Sequence, residues 1–65
     1  MTIREALKRY RDIEKEVDDD ERAHGMEDDF RRDILQAIAD GAPDAVRLAK
    51  IALQTAKLEF ARWCA

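Results

Sequence analysis

Residues 43–65 read PDAVRLAKIALQTAKLEFARWCA. After Pro43 no proline or glycine interrupts the run, and a helix of this length would span about 34 Å. Its apolar residues fall in three rows. Ala45, Ala49, Ala52, Ala56, Phe60 and Trp63 form the first, Val46, Leu53, Phe60 and Cys64 the second, and Leu48, Ile51, Thr55 and Leu58 the third. Between them runs a polar stripe of Arg47, Lys50, Gln54 and Lys57. A helix apolar over more than half its circumference does not lie on a small domain with one face in water. It needs cover from the rest of the chain, from a second copy or from a partner.

Working back from this stretch, the sequence predicts two more helices. Thr2 and Glu5 have the spacing of a capping box, in which each side chain takes the other's backbone amide. Ile3, Leu7, Tyr10, Ile13 and Val17 follow as one narrow apolar stripe,. The run DDDE at 18–21 reads as the end of this helix, with His24 and Gly25 as the break,. A second stripe (Met26, Phe30, Ile34, Ala37 and Ile38) predicts a helix closed by Gly41. Glu27, Asp28 and Asp29 sit in its first turn, where acids meet free amides. Pro43 and Asp44 suit the start of the third helix.

The expectation is therefore an all-α fold: one small three-helix bundle over residues 1–65, with helices near 2–23, 26–40 and 43–64. The C-terminal helix is long and largely apolar. Short connections make neighbouring helices antiparallel. The surplus apolar surface at Ala45, Ala49, Ala52, Ala56, Phe60 and Trp63 predicts self-association as a homodimer.

The 65 residues carry 15 acids and 12 bases, a net charge of −3. The distribution is blocked: residues 1–11 sum to +3, 12–33 to −7 and 34–65 to +1. The acidic middle predicts a negative working surface of Asp12, Glu16, Asp18, Asp19, Asp20, Glu21, Glu27, Asp28 and Asp29, able to occupy the basic groove of a partner protein.

Catalytic signatures are missing. The chain has no serine, one histidine (His24), one cysteine (Cys64), and two glycines 16 positions apart. That leaves no nucleophile with a base, no Cys/His metal spacing and no phosphate loop. DDDE lacks the spacing and central glycine of a calcium loop. The expectation is a non-enzyme without cofactor or metal. One cysteine permits no internal disulfide, the first ten residues lack a signal peptide, and no apolar run reaches the length of a span. These point to a cytoplasmic setting without membrane contact.

In size, charge layout and helicity the chain is similar to small acidic, all-helical phage-encoded inhibitors, anti-CRISPR proteins among them. That similarity implies a local DNA mimic that masks a basic surface of a nucleic-acid-handling protein. One alternative is an assembly adaptor docking through the third helix. A second is a helix-turn-helix protein that reads DNA with Arg47, Lys50, Gln54 and Lys57. Against direct nucleic-acid binding stand the overall acidity and the apolar character of that helix.

Overall fold

The computed structural model describes residues 1–62. It is an all-α bundle of α1 (Ile3–Lys15), α2 (Asp20–Ala39) and α3 (Ala45–Gln54), followed by a 3₁₀ turn, Thr55–Lys57, and an extended tail. Each helix packs against the other two. The core is the small set that all three share: Ala6 and Ile13 from α1, Ala23, Phe30 and Ile34 from α2, Leu48 and Ala52 from α3. Tyr10, Met26, Ile38 and Ile51 close its rim.

The capping box of α1 is formed as expected. The Glu5 amide donates to Thr2 Oγ1 at 3.1 Å, and the Thr2 amide donates to Glu5 Oε1 at 3.2 Å. The same bonds hold the Glu5 carboxyl below its ordinary range. The centre of the buried stripe is Ala6 and Ile13, while Leu7 is partly exposed. Arg9 Nη1 donates to Asp33 Oδ2 at 2.7 Å, and its guanidinium lies 5.3 Å from the Phe30 ring centre. This contact ties α1 to α2 over the core, and the Arg9 bond holds Asp33 below the usual carboxylate range.

The first junction is not where the sequence predicts it. α1 ends at Lys15 rather than near residue 23, and α2 starts at Asp20 rather than at residue 26. Asp19 is the N-cap: its carboxylate accepts from the Arg22 amide at 3.1 Å. Asp20 and Glu21 then fall in the first turn of α2, where negative charge meets the positive helix end instead of opposing the negative end of α1. DDDE is thus a helix start. Gly25, expected as the break, lies inside α2 with ordinary helical backbone.

The second junction agrees with expectation at its glycine but not at its proline: α3 begins at Ala45 with Asp44 as N-cap, so Pro43 precedes the helix instead of opening it. Gly41 takes a positive φ of 91°. The Ala42 amide donates to Ala37 O and the Gly41 amide to Ile38 O, both at 3.0 Å, a Schellman closure in which glycine alone avoids strain.

The third helix departs most. It does not run from 43 to 64: the α-helical part is ten residues long, about 15 Å, and the chain has turned extended by Leu58,. At this end Thr55 is fully buried and donates its hydroxyl to Ala52 O at 2.8 Å. Arg62 returns from the tail and donates to Thr55 O at 2.8 Å and Leu58 O at 3.2 Å. Carbonyls left open at a helix end need partners, and here a side chain supplies them. Phe60 consequently packs on the core from the tail rather than from a helix. Trp63 and Cys64 lie outside the described residues.

Candidate interaction site

Two regions of the surface compete for a functional reading. The first is the acidic corner around the α1–α2 turn. Most of its carboxylates already have internal partners. Asp12 accepts from Lys8 at 2.9 Å, which holds its carboxyl below the ordinary range. Glu16 pairs with Arg22 at 3.4 Å and Asp29 with Arg32 at 3.4 Å. Asp28 Oδ2 lies 3.5 Å from His24 Nε2. Asp19 caps α2, and Asp20 accepts from the Ala61 amide at 3.0 Å. Asp18 and Glu21 are exposed and, among the described residues, unpaired.

Glu27 is not on that surface at all. It is 2% exposed and sits in register with Ala23, Phe30 and Ile34 on the inner face of α2. Both its oxygens are held by Arg62, Nε at 2.8 Å and Nη2 at 3.0 Å, with Arg31 Nη2 at 3.8 Å. Burial pushes its carboxyl up, but the Arg62 bond and the two guanidinium charges outweigh that, so it stays below its ordinary value. Arg62 is raised in turn, chiefly by its bond to Glu27. Its guanidinium also lies 4.0 Å from the Phe60 ring centre. Arg31 completes the network by donating to Thr55 Oγ1 through Nε at 3.2 Å and Nη2 at 2.9 Å. The arrangement fastens the tail and the end of α3 to α2. The spacing 23, 27, 30, 34 was available in the sequence, but it becomes a stripe only once α2 reaches back past Gly25.

His24 is mostly buried, and its Nδ1 has no hydrogen-bond partner among the described residues. Among the described residues, no group of three His, Cys, Asp or Glu side chains could hold a metal ion. None of the described helices is long and apolar enough to cross a membrane.

The second region is apolar. A groove of about 250 Å³ runs between α2 and α3, lined by Ile34, Leu35, Ile38, Ala49, Ala52 and Leu53, with Arg31 at its edge. Leu35 is 67% exposed and Leu53 is 69% exposed. Val46, also 69% exposed, stands two turns before Leu53 on the same side of α3. A smaller groove between α1 and α3 is lined by Ile3, Leu7, Ile51, Arg47 and Lys50.

The structure divides the residues expected to form a dimer seam. Ala49 and Ala52 belong to the α2–α3 groove, and Ala45 is half-buried at the start of α3. Ala56 is exposed on the 3₁₀ turn, Phe60 is on the tail, and Trp63 is outside the described residues. Arg47, Lys50, Gln54 and Lys57 are all exposed on α3 and the turn that follows it.

The fold and its surfaces define a class: a small all-α three-helix domain with an open apolar groove between two helices. Compared with known protein families, with curated proteins and with solved structures, the chain matches none.

Proposed function

We propose that this chain is a non-catalytic contact module that docks another protein on its α2–α3 face. The observation that carries the reading is the grouping of exposed aliphatics: Leu35 and Leu53 line one apolar groove, and Val46 stands two turns before Leu53 on α3. Single exposed leucines are ordinary on a protein surface, but a contiguous apolar patch flanking a concave site is a feature of interaction surfaces. A groove between two helices suits a third helix, the mode in which an amphipathic segment lays its apolar face between two others.

The second reading is the masking of a basic surface by the acidic corner, in the manner of a phage-type inhibitor. It draws support from Asp18 and Glu21, exposed and without cationic partners among the described residues. The two readings respond oppositely to salt and to mutation. Affinity capture at low and high ionic strength, with wild type, Leu35→Ser/Leu53→Ser and Asp18→Asn/Glu21→Gln, separates them. Groove docking expects the captured protein to persist at high salt, to survive the acid substitutions and to be lost with the leucines. Loss with salt and with the acid pair instead favours masking. Capture indifferent to both pairs of substitutions overturns both readings.

A further inference from the structure

We infer that the segment occupying the α2–α3 groove is an acidic amphipathic helix; the inference rests on the docking reading and specifies its partner. The argument is charge complementarity. Of the twelve cations in the chain, Lys8, Arg9, Arg22, Arg31, Arg32 and Arg62 are engaged in internal ion pairs. Three of the remaining six (Arg47, Lys50 and Lys57) are exposed along α3 and its 3₁₀ turn, without partners among the described residues. Residues 45–57 contain no acid. The ridge is therefore positive on a molecule that is negative overall. Lys50 and Lys57 each follow Val46 and Leu53 by four residues and so flank that apolar edge,, whereas Arg47 lines the α1–α3 groove, which Lys50 also borders.

An occupant that places leucine-like side chains against Leu35, Ile38 and Leu53 brings its flanking residues over this ridge. Acids there gain from Lys50 and Lys57, and bases are repelled. The length of α3 sets the footprint at about 15 Å, two to three turns of helix, read by anchors at i, i+3 or i+4, and i+7. A second copy of the chain docked face to face fits less well, because both copies bring the same cationic ridge to the interface.

The test uses the full chain and three labelled synthetic helical peptides in fluorescence anisotropy. One carries a leucine stripe flanked by glutamates, one the same stripe flanked by lysines, and one the glutamate peptide with its stripe scrambled. The expected result is saturable binding of the glutamate peptide, about tenfold tighter than of either other peptide. Lys50→Glu/Lys57→Glu should reverse the preference toward the lysine peptide, while Leu35→Ser/Leu53→Ser should abolish binding of both striped peptides. Equal binding of the two striped peptides, still lost with the leucines, overturns the acidic occupant and leaves groove docking standing. Binding that is indifferent to the leucines, or no saturable binding of any peptide, overturns both. Sedimentation of wild type as a dimer that Leu35→Ser/Leu53→Ser converts to monomer assigns the groove to a second copy and also overturns the acidic occupant.

Discussion

The two halves of α2 carry opposite solutions to the same problem. The N-terminal half, Asp20 to Glu27, is crowded with charge, and two of its acids are tied to the returning tail. Asp20 receives the Ala61 amide, and Glu27 is clamped by Arg62 from the returning tail. In the C-terminal half, Ile34 and Ile38 pack on the core, while Leu35 stands 67% exposed beside a groove that no described segment fills. The tail covers one end of the helix and not the other. Charge density in the sequence therefore does not by itself show which groups are left to meet a partner, because internal partners take up many of the charges.

The largest expected effect tests the closed half. Arg62→Ala leaves Glu27 buried with only Arg31 nearby, and removing one partner of a buried pair costs about 3 kcal/mol. Glu27→Gln should cost less, since Arg62 is a third exposed and can turn to water. The pH dependence has a definite sign. The folded state holds Glu27 below its ordinary 4.5, so the stabilisation is complete above that value and is lost as pH falls through it toward the depressed folded value. Urea denaturation of wild type and Glu27→Gln should differ at pH 7 and converge in acid. A constant difference across that range would show that Glu27 contributes by packing rather than by charge.

How far the sequence carried this reading depends on the length scale of each signal. The capping box at Thr2 and Glu5 and the glycine closure at Gly41 were legible because each is decided within a few residues. The all-α bundle was legible from three apolar stripes. The first junction was not, because DDDE serves equally as the end of one helix or the start of the next. Asp19 decides it by capping Arg22, and Gly25 then joins a helix it could have ended. The end of α3 was hidden for another reason. Nothing local stops a helix in LQTAKLEFAR; the stop comes from Arg62 reaching Glu27, 35 positions away in sequence. Glu27 itself reads as a surface residue in the sequence because a glutamate followed by two aspartates resembles a solvated helix start. The groove was not separable from the broad apolar surface of the third helix until the tail left that helix uncovered on one side.

Gly25→Ala is the next largest effect and sharpens where α2 begins. Gly25 is helical and exposed, and a Cβ added there meets nothing within 4 Å. Alanine in an exposed helix interior is favoured over glycine by about 0.5–1 kcal/mol. Thermal denaturation should place Gly25→Ala above wild type by a few degrees. A loss of stability would mean that the backbone at residue 25 needs a conformation alanine resists, and α2 would then begin after it.

The smallest expected effect is the most telling for the open half. Leu35→Ser and Leu53→Ser remove large side chains that are mostly in water already, and surface substitutions of this kind stay within about 0.5 kcal/mol of wild type. A leucine that contributed to the core would instead cost about 2–5 kcal/mol on truncation. Chemical denaturation of the isolated chain at low micromolar concentration distinguishes the cases. Near-zero effects at both positions mean that folding does not require these leucines, as the proposed docking role expects. A cost of several kcal/mol that grows with protein concentration in wild type would mean that a second copy already covers them, since a dimer's stability rises with the concentration of its protomers.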